Sequence, residues 1–300
     1  MTAVTDLGTE RLRLISLLRT AASDWLRHRC PRLGAALAYY SVFSLGPLLL
    51  IVIAVAGLVW GADAARGSMV TQFRGLLGES GAQMIEAMLQ GASSSVAGGW
   101  SAVIGIIVLL VAAVGVVVQL KDALNSIFEV SEPINPGAAW YAKVYGGAFA
   151  GILALGFLLA VSLVLSAFLA AFSNWMGGSA GETALLFLVN FTVSLALLTV
   201  LFSMLFKWLP DKHLHWSDVW LGGFATALMF NVGKSAIAWY VGSQGLESTY
   251  GAAASVVVLL IWVYYSSQIL LFGAEITQAY AKMRRPEPQA NVGARPNHNS

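Results

Sequence analysis

The chain has 300 residues, of which 58% are hydrophobic and only 11% charged. Soluble domains carry about 25% charged residues, so the composition excludes an ordinary soluble domain and points to an integral membrane protein. A formal net charge of +2 gives no reason to expect a nucleic-acid partner, and the single cysteine, Cys30, excludes an intramolecular disulfide and leaves a cysteine metal site unsupported.

In chain order, residues 1–33 read as a cytoplasmic basic segment, too polar for a cleavable signal peptide. Within it, residues 10–29 place Leu14, Leu18, Ala21 and Trp25 on one face, with arginines around the rest. That pattern suits an amphipathic helix on an anionic membrane surface, or else a helix packed on cytoplasmic loops. Residues 34–282 form the membrane domain. Its apolar stretches at about 35–61, 96–118, 140–172, 183–209, 217–241 and 250–274 each reach the ~20 residues needed to cross a bilayer. The expected fold is all-α, a polytopic integral membrane protein with six transmembrane helices in one bundle.

Pro47 lacks an N–H and is expected to kink or loosen the first span. Residues 62–95 read as a polar loop holding a surface helix interrupted by Gly78 and Gly81. The second span continues into QLKDALNSIFEV, a polar extension that should stop near Pro133 and Pro136. Residues 283–300, rich in Pro and Asn, read as a disordered cytoplasmic tail.

Trp60, Trp100, Trp140, Trp175, Trp208, Trp216, Trp220 and Trp239 fall near the ends of these spans, as an interfacial aromatic belt requires. Of the 17 Lys and Arg residues, 14 lie in the N-terminal segment, the 119–143 and 207–218 loops and the C-terminal tail. The remaining loops hold only Arg66 and Arg74, so the positive-inside rule puts both termini in the cytoplasm.

The last span carries a polar stripe. A rotation of 100° per residue puts Tyr250, Tyr264, Gln268, Glu275 and Lys282 on one face, and such a stripe turns towards other helices or a cavity. Glu275 lies towards the cytoplasmic end, where Arg32, Lys207 and the hydroxyls of Tyr39 and Tyr40 are its candidate partners. Lys234, inside the fifth span, costs about 3 kcal/mol there unless it pairs or snorkels. Asn190 and Asn231 are placed to share a polar pocket with it. Gly222 and Gly223 read as points of close helix contact rather than as a site.

Catalytic chemistry finds little support. The only close group of metal-type ligands, Asp211, His213, His215 and Asp218, reads as a solvated turn, and neither a metal nor a cofactor is expected. No phosphate-cradling glycine loop and no aromatic-basic groove for RNA occurs.

Four stretches in this order carry a resemblance. They are AALAYYSVFSLGPLLL, LKDALNSIFEV, KWLPDKHLHWSDVWLGG and STYGAAASVVVLLIWVYYSSQILLFGAEITQAYA. Together they resemble the YihY/virulence factor BrkB family of bacterial inner-membrane proteins, over roughly residues 30–282. The resemblance implies a six-span bundle, a role in envelope integrity and handling of lipids. An older label for that family, ribonuclease BN, meets no matching residues here. The leading expectation is a non-enzymatic membrane protein that moves or organises a lipid or another amphipath, with membrane lipids as partners. The alternative is a structural scaffold for other envelope proteins, docking through the 62–95 loop or the cytoplasmic face.

Overall fold

The computed structural model describes residues 2–94, 114–130, 146, 180–243 and 254–285, and every regular element among them is α-helical. The helices are α1 (Thr2–Arg27), α2 (Cys30–Trp60), α3 (Ala62–Ser94), α4 (residues 114–127), α5 (Ala180–Trp208), α6 (Trp216–Ser243) and α7 (Ala254–Arg284). Among the described residues, two stretches are long and apolar enough to cross a membrane, Phe191–Trp208 and Val256–Arg284. Most of the second expected span, nearly all of the third, the first residues of the sixth and most of the tail lie outside the described residues.

α2 includes Pro47 within one helix. One expectation changes. The segment expected to be a polar loop is instead one helix, α3, continuous through Gly78 and Gly81. Each glycine costs a helix about 1 kcal/mol. Packing overrides that cost: Ala65, Met69, Ala82, Ile85 and Leu89 are buried, and most of them meet Leu49 and Ile53 of α2. The reversal between α2 and α3 takes a single residue, Gly61, at φ 87° and ψ 144°, where a side chain would be strained.

α7 is the hub, packed against α1, α2, α3 and α6, while α6 lies between α5 and α7. The α6–α7 contact is built on a reciprocal pair of small residues. A methyl group on Gly222 would overlap Thr277 Oγ1 and stand 2.9 Å from the Gly273 carbonyl oxygen, and one on Gly273 would overlap Thr226 Oγ1. Each threonine hydroxyl donates back to the glycine carbonyl one turn earlier, Thr226 to Gly222 at 2.6 Å and Thr277 to Gly273 at 2.9 Å. The hydroxyls are thus satisfied within their own helix, and the backbones approach closely without an unpaired polar group. Gly223, the next residue, does the same towards α5, against Ser203 and the Thr199 carbonyl. Adjacent glycines therefore serve two different neighbours, as their close-contact reading expects.

The end of α4 inserts into the core. Leu124, Ile127 and Phe128 are fully buried with Phe206 of α5, Val219 of α6 and Leu271 and Ala274 of α7. Trp262, mid-way along α7, packs edge-on against Phe230 of α6 at 6.3 Å between centroids. Trp208, Trp216 and Trp220 form an exposed chain of rings at the α5–α6 corner, consistent with a tryptophan belt there.

Gly223→Ala should destabilise the protein by about 1–3 kcal/mol, because its new methyl meets backbone that cannot rotate away. Gly67→Ala, on an open face of α3, should be neutral or slightly stabilising. Denaturant unfolding in detergent, followed by circular dichroism, separates them; equal midpoints for the two variants would contradict the packing.

Candidate functional site

One end of the bundle collects the charged and polar groups. The chain reaches it four times: at the α1–α2 turn, the end of α4, the α5–α6 loop and the last turns of α7.

The α1–α2 turn is made by Arg29, held in the left-handed region at φ 54° and ψ 40°, with Pro31 starting α2. An L side chain in that region costs about 1–2 kcal/mol. The turn sets His28 and Cys30 over the same carboxylate. His28 Nδ1 lies 2.7 Å from Glu275 Oε1, and the Cys30 thiol donates to that oxygen at 3.4 Å. Burial first, then the charge and hydrogen bond of Glu275, hold the Cys30 thiol far above its ordinary pKa, so it stays a neutral donor.

The end of α4 has a second left-handed residue that is not glycine, Glu129, at φ 55°. Val130 N–H bonds to Asn125 C=O and Glu129 N–H to Ser126 C=O, the Schellman arrangement, in a position usually filled by glycine. Glu129 meets Lys282 at 2.9 Å and Arg27 at 3.1 Å, with His28 Nε2 at 3.6 Å. Partial burial pushes its carboxyl up, but the Lys282 hydrogen bond and charge, then Arg27 and His28, outweigh that and hold it below its ordinary 4.5. The stability it contributes is therefore full above pH 4.5 and is lost as pH falls through the lowered folded value.

The α5–α6 loop is pinned by its own polar groups. Asp211 pairs with Lys121 at 3.0 Å and exchanges two hydrogen bonds with Asn125, at 2.9 and 3.0 Å. Lys212 donates to the Phe128 carbonyl at 3.1 Å and to Gln278 Oε1 at 3.3 Å. Asp218, buried in the first turn of α6, faces Arg284 at 3.4 Å and Arg285 at 3.9 Å. Asp211 and Asp218 thus turn to different cations, and His215 meets Arg285. Among the described residues no group of three or more His, Cys, Asp or Glu is placed to hold a metal ion.

Of the stripe on α7, Gln268, Glu275 and Lys282 face the α1–α2 turn and the end of α4. Gln268 Nε2 donates to the Cys30 carbonyl at 3.4 Å and lies over Gly34, where any side chain would collide with it. Tyr264 is partly exposed, and Tyr250 lies outside the described residues.

The partners expected for Glu275 are corrected. Arg32 is exposed, Lys207 donates to the Leu214 carbonyl, and Tyr39 and Tyr40 are exposed, with Tyr39 meeting Tyr40 edge-on and Phe43 at a tilt. The physical reason is the turn at Arg29, which aims His28 inward and leaves Arg32 one helical turn further on, outside. Lys234 donates to Asn231 Oδ1 at 2.9 Å, and Asn231 Nδ2 donates to the Ala227 carbonyl at 3.0 Å, while the Asn190 side chain lies outside the described residues. His28, Cys30 and Glu129 were missed. For His28 and Cys30 the signal was Cys30-Pro31, which marks a helix start and so a chain reversal just after His28.

The α1 helix also differs in detail. Among its described side chains Leu17 and Ala21 are the buried ones, packed with Ile276 and Ala279 of α7. Leu14 and Leu18, expected on the same face as Ala21, are exposed together with Ile15 and Leu26.

Glu275→Ala and His28→Ala should each cost about 3–5 kcal/mol, since each strands the other partner. The double variant should fall short of their sum by about 1–3 kcal/mol, whereas Glu275→Ala with Arg32→Ala should be additive. A double-mutant cycle by chemical unfolding in detergent reads both. Additive losses for the histidine pair would contradict the site.

Residues 21–297 match the model of the family described as Virulence factor BrkB. A UPF0761 membrane protein of Pseudomonas paraeruginosa is 27% identical over 266 residues, which are 87% of this chain and 61% of the relative. A UPF0761 membrane protein of Methylibium petroleiphilum is 32% identical over 179 residues, 59% of this chain and 41% of the relative. One from Pseudoalteromonas atlantica is 28% identical over 267 residues, 85% of this chain and 82% of the relative. The chain thus spans about three fifths or less of the first two relatives' length. No solved structure matches it. With a family match that covers most of its length, this chain belongs to the Virulence factor BrkB family of membrane proteins.

Proposed function

We propose that the protein is a non-enzymatic, six-span protein of a bacterial inner membrane, with both termini in the cytoplasm, that moves or organises a lipid or other amphipathic envelope component. The observation that carries this reading is a set of buried polar atoms on one helix. Gln268 Oε1, Glu275 Oε2 and Gln278 Nε2, all on α7, are buried and meet no hydrogen-bond partner among the described residues. An unsatisfied buried polar atom costs about 1–3 kcal/mol, so a helix kept only for stability would shed them. Polar groups facing the interior of a membrane bundle serve polar cargo or ions that pass or dock there. An amphipath, with a polar head and an apolar body, suits a greasy bundle with a polar stripe at one end.

The family match supports a membrane role without naming a cargo. Asp211 and Asp218, held by separate cations, speak against a nuclease built on that loop.

Purified protein in vesicles carrying fluorescent phospholipid is expected to speed lipid exchange between leaflets over protein-free vesicles. Gln278→Leu should reduce that rate several-fold without unfolding the protein, while Asp211→Ala/His213→Ala leaves any residual RNA cleavage unchanged. Exchange no faster than in empty vesicles would contradict the proposal, as would RNA cleavage abolished by the double variant.

A further inference from the structure

Three titratable groups stand in line at the charged end, and their exposure falls along it: the Glu129 side chain is 41% exposed, His28 12% and Glu275 0%. The imidazole offers one nitrogen to each carboxylate, Nε2 at 3.6 Å from Glu129 and Nδ1 at 2.7 Å from Glu275. Beyond them, Glu275 Oε2 is buried with no partner among the described residues. An ion pair alone does not account for this. A carboxylate kept permanently charged inside a protein has both oxygens hydrogen-bonded, because each bare one adds to the desolvation cost. Moreover, the outer and middle groups are both positioned by left-handed residues that are not glycine, Glu129 itself and Arg29 beside His28, and such strain collects at functional sites.

We propose that Glu275 is a proton-binding site inside the helix bundle, loaded and unloaded from solvent by way of Glu129 and His28. The inference goes beyond the lipid reading and does not depend on it.

The transfer balances. A proton on Glu129, taken from hydronium, passes to His28 Nε2, so an O–H bond breaks and an N–H bond forms. The Nδ1–H bond of the resulting imidazolium then breaks, and its proton forms an O–H bond with Glu275 Oε1, leaving neutral imidazole protonated at Nε2. The reverse step empties Glu275 and restores the first tautomer. The 3.6 Å outer leg closes by movement of the exposed Glu129 side chain or through one water.

The surrounding groups leave the line intact. From α1 come Asp24 and Arg27, and Arg27 is engaged by Asp24 and Glu129. From α2 comes Cys30, a neutral donor, while Arg32 is exposed. Lys212 of the α5–α6 loop turns to Gln278, and Asp218 of α6 to Arg284 and Arg285. Lys282 of α7 pairs with Glu129, and the α3 side chains packed near α7, Phe73, Met84 and Met88, are apolar.

Infrared difference spectra of the full chain in lipid nanodiscs, titrated in H2O and D2O, test this through the C=O stretch of a protonated carboxylic acid. A band that grows as the pH falls is expected, lost in Glu275→Gln and kept in Asp218→Asn. In His28→Gln its midpoint should move by at least about tenfold in proton concentration, the effect of losing the hydrogen bond that His28 Nδ1 makes to the carboxylate. After a pH jump, Glu129→Gln should slow its appearance several-fold, which a purely structural role would not do. A band constant between about pH 4 and 9 would overturn the proposal, given the several-unit range in which buried carboxyls titrate. So would a midpoint unchanged in His28→Gln or a rate unchanged in Glu129→Gln, and these two readings stand even where Glu275→Gln does not fold.

Discussion

Burying the Glu275 carboxylate is the constraint around which the rest of this structure is arranged. A charge with no exposed surface must be met by groups the chain brings to it, and here they come from sequence-distant segments. α1 ends in His28, the turn at Arg29 presents Cys30, and Glu129 closes the outer side of the histidine. Each contact also ties a helix to α7. Glu275 joins α1 and α2, Lys282 joins α4, and Gln278 joins the α5–α6 loop through Lys212. Three turns of one helix thus organise the whole charged end.

Elsewhere along α7 the cohesion is of a different kind. In a membrane there is little hydrophobic drive between helices, and close fit must hold them together. The Gly222–Thr226 and Gly273–Thr277 pairs supply that fit between α6 and α7, and Gly223 with Ser203 supplies it between α5 and α6. A close-packed contact of small residues beside a polar end, with buried atoms that meet no partner among the described residues, divides the bundle into a part held by fit and a part held by polar groups. That division is why the lipid and proton proposals both centre on the last turns of α7.

Much of this was legible in the sequence. The helical spacing of Gln268, Glu275 and Lys282 put them on one face, and that face does meet other helices. The adjacent glycines at 222 and 223 were readable as contacts because glycine in an apolar helix has little other use. Five described helices overlap the apolar stretches expected to span: α2, α5, α6, α7 and, at residues 114–118 only, α4. The partner of Glu275 was not legible, because it depends on one backbone conformation at Arg29 that no propensity scale assigns to arginine. α3 was misread for a related reason. Its glycines weaken a helix locally, while the packing that overrides them comes from α2 and α7, distant in sequence. Local signals locate elements well; long-range pairings decide where charges end.

The central claim is that residues 268–282 are the most tightly held part of the charged end. Hydrogen–deuterium exchange of the full chain in nanodiscs, resolved by peptide, tests it directly, since amides that open only with global unfolding exchange slowest. The account predicts that 268–282 exchanges more slowly than residues 13–27 of α1, and that His28→Ala accelerates 268–282 while leaving 195–206 of α5 unchanged. Exchange in 268–282 as fast as in α1, or insensitive to His28, would contradict it.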